Sequence, residues 1–180
     1  MADERVNQEP AGDERAEGEP KTGEAKPTER VMLVVVDDSL EMPVALRYAC
    51  RRARHAAGRV ALLHVIERTE FQTWLGVGDL MAKEAREQAE RLMQRVAKQV
   101  MEQVGNMPIL YLREGKQSDE LMRLISEEPS ISILILGANT DPGGPGPLVS
   151  ALTGKMVGKL RIPVTIVPGN LSSEDIDAIS

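Results

Sequence analysis

The sequence predicts an α/β fold in which a five-stranded parallel sheet carries helices on both faces. Five short apolar runs recur along the chain, and segments with helical patterning separate them. Most of these runs are nearly continuous in apolar residues, which is typical of parallel strands that are buried on both faces. Because a crossover between parallel strands is right-handed, this alternation places helices on both sides of the sheet.

The first strand is predicted at residues 31–36, VMLVVV, which is rich in β-branched residues. It ends at Asp37, and Pro43 suits the first turn of a helix because its missing N–H would have no helical partner there. The spacing extends this helix to about Ala57. Cys50 falls on its apolar stripe, so we interpret it as a small buried hydrophobic residue and not as a nucleophile.

The second strand is predicted at residues 60–66, VALLHVI. His64 interrupts this run, and we interpret it as a partly buried residue with a hydrogen bond, because no Ser or Cys nucleophile stands in a suitable place beside it. Residues 67–79 follow as a connecting segment whose aromatic residues pack over the domain or against a partner. A long helix is predicted at residues 80–104, where apolar residues recur at steps of three and four.

The second half of the chain predicts three more strands. A short strand at residues 109–112 precedes a helix that Ser118 could cap, and a fourth strand lies at residues 131–136. A loop rich in glycine and proline then leads into a helix at about residues 148–160. The last strand, residues 164–167, stands between two prolines, as expected at the edge of a sheet.

At neither end of the chain does the sequence pattern predict packed structure. Residues 1–30 are rich in Glu, Gly, Pro and Lys and have few apolar residues, so we expect a disordered acidic tail. Residues 171–180 are expected to form a flexible C-terminal tail. The folded domain is therefore predicted at residues 31–170.

Composition narrows the classes of function. A formal net charge of -6 disfavours nucleic acid as a partner, because such binding needs a cationic surface. No apolar run is long enough to span a membrane, and the N-terminus has no signal-peptide pattern. Cys50 is the only cysteine, which excludes an internal disulfide and fits the cytoplasm. No catalytic or metal-binding cluster is evident, so none is predicted.

The segment from Ile131 to Pro168 contains the strongest functional signal. A strand, a glycine-rich turn and the start of a helix form the usual phosphate-binding unit of α/β folds, since the helix start offers unpaired N–H groups. Ligands of such sheets collect at the carboxyl ends of the strands, where Asp37, Val65 and Gly137 are expected.

The chain resembles the universal stress protein family from Val31 to Pro168. The resemblance rests on VVVDDS after the first strand, ALLHV on the second, REG after the third, ILILGA on the fourth, and the final IPVTIVP. It implies a Rossmann-like fold and a homodimer that pairs through the last strand, residues 164–167. It names neither the partner proteins nor the stress.

Members of this family that bind ATP show a glycine, two residues, a second glycine, nine residues, then a glycine and a Ser or Thr. In this chain those positions fall on Gly137, Thr140, Ser150 and Ala151, so only the first is kept. A Cβ in place of a glycine that must adopt a left-handed conformation costs about 1 to 2 kcal/mol. A lost hydroxyl bond to a charged oxygen costs about 1.5 to 3 kcal/mol.

The resemblance places the remaining nucleotide contacts on Asp37, Val65 and Thr153. Because the loop departs from the family pattern, we expect a non-enzymatic homodimeric module with a degenerate nucleotide-binding loop and no tightly bound cofactor. The alternative is a sensor of ATP or AMP with at most slow ATP hydrolysis, using six residues: Asp37, Val65, Gly137, Thr140, Ser150 and Thr153.

Overall fold

In the computed structural model, which describes residues 29–67 and 78–180, strands alternate with helices along the chain. The strands are β1 (Val31–Val35), β2 (Arg59–Ile66), β3 (Ile109–Glu114), β4 (Ile131–Ala138) and β5 (Val164–Pro168). The helices are α1 (Met42–His55), α2 (Gly78–Val104), α3 (Gln117–Glu127), α4 (Pro147–Thr153) and α5 (Ser173–Ile179), and a short 3-10 helix spans Val157–Lys159. This order matches the predicted alternation up to β5.

The sheet has the strand order β3-β2-β1-β4-β5, and each neighbouring pair is parallel. The chain steps outward from β1 to β3 and then crosses back to β4 and β5. The strand order therefore reverses between β1 and β4, where ligands of open α/β sheets usually bind. The predicted five-stranded parallel sheet with helices on both faces is confirmed.

Two apolar layers pack on the two faces of this sheet. The α1 layer joins the sheet to α1, α2 and α5, and the α3 layer joins it to α3 and α4. Cys50 lies fully buried in the α1 layer, where desolvation raises its pKa to about 12. Its thiol is therefore neutral at physiological pH, as the interpretation of a small hydrophobic residue requires.

Two predictions around the helices are wrong in detail. The helix expected at residues 148–160 ends at Thr153, since Gly154 leaves helical geometry with φ -95° and ψ -105°. Glycine has a low helix propensity because it loses the most backbone freedom on ordering. Ser118 does not cap α3, because the helix already begins at Gln117, whose N–H donates to the Glu67 carboxylate over 2.8 Å.

The C-terminal segment is a helix and not the flexible tail predicted for residues 171–180. Ser172 and Asp175 form a reciprocal capping box at the start of α5. Hydrogen bonds from Ser172 lower the pKa of Asp175. Ile176 is fully buried in the α1 layer, so the segment gains apolar burial that a few scattered apolar residues in a polar sequence do not reveal.

Ion pairs join α5 to α1. The Asp177 carboxylate accepts a hydrogen bond from Arg47 at 2.8 Å and lies 3.1 Å from Arg51. The hydrogen bond from Arg47 is the main cause of the lowered pKa of Asp177. Both contacts are partly exposed, so Ile176 and not these charges accounts for most of the docking of α5.

Two predicted segments lie outside the described residues. These are nearly all of the acidic tail, residues 1–28, and the aromatic part of the segment after β2, residues 68–77. Within the described ranges, none of the helices has the length and apolarity that crossing a bilayer would require.

Candidate functional site

A cavity of about 110 Å³ lies where β1 and β4 end and α4 begins. Its floor is formed by Val35 and Leu136, buried residues near the carboxyl ends of the two strands. Asp37 and Gly137 follow them, and the loop before α4 forms the opposite wall. Its lining residues are Val35, Asp37, Ser39, Glu41, Met42, Gln117, Leu136, Gly137, Pro145, Gly146, Pro147, Leu148 and Val149.

Asp37 is half-buried at the exit of β1 and organises the turn that follows. Its Oδ1 accepts the N–H of Ser39 over 3.0 Å, which is an Asx turn. The second carboxylate oxygen has no bond to another described residue. The sequence places Asp37 at this edge of the sheet because it directly follows a buried strand, and the structure agrees.

Gly137 lies opposite Asp37 and packs against the loop between β1 and α1. A Cβ at Gly137 would come within 2.6 Å of the Glu41 carbonyl oxygen and 2.8 Å of its carbonyl carbon. Gly169, which follows β5, approaches the same residue, since a Cβ there would lie 2.7 Å from the Glu41 Cβ. Glu41 thus occupies a slot between two glycines, and close packing alone requires glycine at both positions.

The hydroxyls of Ser150 and Thr153, both in α4, donate to carbonyls of the preceding turn. Ser150 Oγ donates to the carbonyl of Gly146 over 2.8 Å, and Thr153 Oγ1 donates to the carbonyl of Val149 over 2.8 Å. Such bonds to the preceding turn are usual for Ser and Thr inside a helix. Neither residue lines the 110 Å³ cavity, so neither hydroxyl faces Asp37 and Gly137 across it.

Val65 and Thr140 also lie away from this cavity. Thr140 is exposed in the loop after β4. Val65 is buried near the end of β2 and borders a separate cavity of about 420 Å³, together with His64 and residues of α2. Of the six predicted site residues, the structure therefore brings only Asp37 and Gly137 together in one cavity.

His64 makes the hydrogen bond that the sequence predicts for it. Its Nδ1 lies 2.7 Å from the carbonyl oxygen of Val36, and the side chain is half-buried. The ring therefore ties β2 to the end of β1. Among the described residues, no three His, Cys, Asp or Glu side chains converge as a metal site would require.

A second cavity of about 390 Å³ adjoins the first and shares Gln117, Pro147 and Leu148 with it. Lys116 and Lys155 line this part, as do Glu67 and Asp119. Neither lysine was predicted from the sequence as a site residue. Lys116 directly precedes α3 and Lys155 follows α4, so only the packing of α3 beside α4 brings them together.

The loop before α4 offers few donors to an anion. Pro145 and Pro147 have no N–H, and the N–H of Gly144 already donates to the carbonyl of Asp141. Gly144 and Gly146 have φ of 93° and 98°, so the glycines here serve the shape of the loop. The 110 Å³ between β1 and β4 is also below the 300 Å³ or so of usual small-molecule sites.

The strand order and the cleft over β1 and β4 define a Rossmann-like α/β protein. The model of the universal stress protein family matches residues 29–168 of the chain. The chain therefore belongs to the universal stress protein family. A comparison with curated proteins finds no match.

Solved structures of universal stress proteins share this fold. Universal stress protein UspA from Lactobacillus plantarum is 18% identical, with a TM-score of 0.64 over 77% of this chain and 97% of that one. A family member from Burkholderia pseudomallei is 19% identical, with a TM-score of 0.60 over 79% and 98%. A universal stress protein in complex with cAMP is 12% identical, with a TM-score of 0.52 over 79% and 98%.

Proposed function

We propose that this protein is a non-enzymatic stress-response module of the cytoplasm that works as a homodimer paired through β5. The observation that carries the proposal is the outer edge of β5. Among the described residues this strand is the last of the sheet and pairs with β4 alone, and Ile166 is 39% exposed on it. An exposed edge with an apolar side chain is a template for a second strand.

The backbone of β5 fits this role. The carbonyl of Pro163 accepts the N–H of Leu134, and the N–H of Gly169 donates to the carbonyl of Ala138. The backbone N–H and C=O groups of the odd-numbered residues of β5 therefore face β4. Because alternate residues of a strand point their N–H and C=O groups to opposite sides, those of Val164 and Ile166 point outward. Pro168 has no N–H, which limits the pairing to a short stretch.

The dimer is tested by placing a charge on this edge. We expect Ile166→Lys to halve the mass measured by light scattering, because a lysine there would have to be buried and desolvated against the partner strand. Val167 is unsuitable for this purpose, since it is buried in the α1 layer and a charge there would unfold the protein.

The matched control is Leu110→Lys. Leu110 lies on β3, the opposite edge of the same sheet, and is 44% exposed. We expect this variant to keep the mass of the parent protein. Equal masses for the parent and Ile166→Lys, or a loss of mass in Leu110→Lys alone, would remove β5 as the dimer edge.

A second candidate function is an adenine-nucleotide sensor that binds ATP or AMP, with at most slow ATP hydrolysis. It is favoured by the meeting of Asp37 and Gly137 in one cavity at the switch point, and by the similar protein whose structure holds cAMP. Against tight binding stand the few N–H donors of the loop before α4 and the internal bonds of Ser150 and Thr153. We therefore propose a degenerate cleft without a tightly bound cofactor.

The nucleotide content of the purified protein decides between the two. We expect that denaturing fresh material and running the supernatant on an anion-exchange column gives no stoichiometric adenine nucleotide. Stoichiometric ATP or AMP would support the sensor instead. In that case Asp37→Ala should lower the occupancy, while Glu102→Ala, which changes an exposed carboxylate that lines neither the 110 Å³ nor the 420 Å³ cavity, should leave it unchanged.

A further inference from the structure

Another cavity, of about 240 Å³, lies at the opposite end of the sheet from the cavity that holds Asp37 and Gly137. Met32 and Ser132, each the second residue of its strand, line it, so it belongs to the amino ends of β1 and β4. The end of α1 contributes Arg52 and Ala56. It therefore shares no wall with the cavity that holds Asp37 and Gly137.

A β-bulge in β4 shapes the floor of this cavity. Val31 pairs with Ile131 and Met32 pairs with Ile133, so Ser132 is an extra residue in the ladder. Its hydroxyl donates to the carbonyl of Val31 over 3.1 Å. The extra residue puts Ile131 into the α3 layer and turns Ile133 toward the α1 layer.

The floor is apolar but not fully covered. Ile133 and Ile135 both line the cavity from β4, an inner strand with β1 and β5 on its two sides. Ile135 is buried, yet Ile133 is only half-buried. An isoleucine on an inner strand is normally covered by a helix, so this position leaves apolar surface for a ligand to bury.

The rim of the cavity is cationic. Arg30 and Arg52 line it, and among the described residues that form its wall none is acidic. Other arginines nearby are paired with carboxylates, because Arg47 and Arg51 contact Asp177 and Arg59 lies 3.7 Å from Glu29. A guanidinium group is planar and matches a carboxylate with two parallel hydrogen bonds.

We propose that this cavity binds a small amphiphilic carboxylate, whose apolar body lies on Ile133 and Ile135 and whose carboxylate faces Arg52 and Arg30. The volume of 240 Å³ exceeds the roughly 150 Å³ that holds benzene in a dry protein cavity. It is below the usual range for drug-sized ligands. The ligand is therefore a short alkyl chain or one aromatic ring with a carboxylate.

Octanoate serves as the probe, with octylammonium as the probe of opposite charge. Titration of the full chain is followed by NMR of the isoleucine methyl groups. We expect octanoate to shift the signals of Ile133 and Ile135 in a saturable manner, and octylammonium to shift them weakly. The loss of one charged hydrogen bond in Arg52→Gln should weaken octanoate binding about tenfold or more.

Two further variants make the test specific. Arg54→Gln changes an exposed arginine of the same helix that does not line the cavity, so its affinity should equal that of the parent. Ala56→Leu fills part of the cavity and should abolish binding while the protein stays folded. Equal effects of Arg52→Gln and Arg54→Gln, or equal binding of the two probes, would overturn the proposal.

Another occupant would also be detected. If the methyl signals of Ile133 and Ile135 shift with protein concentration in the absence of octanoate, and still do so in the Ile166→Lys variant that cannot pair through β5, a second copy of the chain covers the cavity and the carboxylate proposal is wrong. The absence of any saturable shift with octanoate would likewise overturn it.

Discussion

A Gly137→Ala variant should unfold at a much lower urea concentration than the parent protein. The added Cβ would stand 2.6 Å from the carbonyl oxygen of Glu41, which is a backbone atom and cannot rotate away. Overpacking of this kind costs about 1 to 3 kcal/mol or more, because the loop between β1 and α1 has to move. The free energy of unfolding from urea titration, followed by circular dichroism, measures this loss.

The matched control for this variant is Gly143→Ala. A Cβ at Gly143 would have no atom within 4 Å, and its φ is not in the left-handed region. We expect its free energy of unfolding to stay within about 0.5 kcal/mol of the parent value, as is usual for surface changes. Equal losses of unfolding free energy in the two variants would show that the close packing of Gly137 against Glu41 is not what destabilises Gly137→Ala.

Gly137 is the one glycine of the family's ATP-binding pattern that this chain keeps. The packing against Glu41 explains its presence without any ligand, and Gly169 meets the same constraint from the other side. The retained glycine therefore says little about nucleotide binding. Asp37, whose second carboxylate oxygen bonds to none of the described residues, is the more informative of the two residues.

The sheet could be predicted from the sequence because each strand is an apolar run that needs burial on both faces. The C-terminal helix could not, because α5 buries one large residue, Ile176, among polar neighbours. Hydrophobic periodicity needs several apolar positions to show a helix. Ser172 and Asp175 form a capping box, which is the only local signal of this helix and is weak without an apolar run after it.

The candidate site likewise has residues whose position the sequence predicts and residues whose position it does not. Asp37 lies just after β1 and Gly137 is the last residue but one of β4, so the parallel sheet brings them together wherever the loops go. Ser150 and Thr153 were placed by matching the family's pattern of residues along the chain, and that pattern does not show that both hydroxyls donate to carbonyls of the preceding turn. Lys116 and Lys155 come from two elements that only tertiary packing joins.

The second large effect is expected at α5, in Ile176→Ala. Ile176 is 0% exposed and packs in the α1 layer. Removing a buried isoleucine to alanine costs about 2 to 5 kcal/mol through lost burial and the cavity left behind. We expect a lower urea midpoint and faster hydrogen exchange of the amides in residues 173–179, measured by mass spectrometry of the C-terminal peptide.

Ile179→Ala removes the same atoms from the same helix at a position that is 58% exposed, and it should change both measurements little. If Ile176→Ala speeds exchange in α5 and leaves β1 protected, α5 opens by itself as a separate unit that lies beyond the residues that the family model matches, 29–168. If β1 loses protection as well, α5 is part of the cooperative core. An Ile176→Ala variant that matches Ile179→Ala in both measurements would mean that the ion pairs of Asp177 hold α5 and that the buried side chain does not.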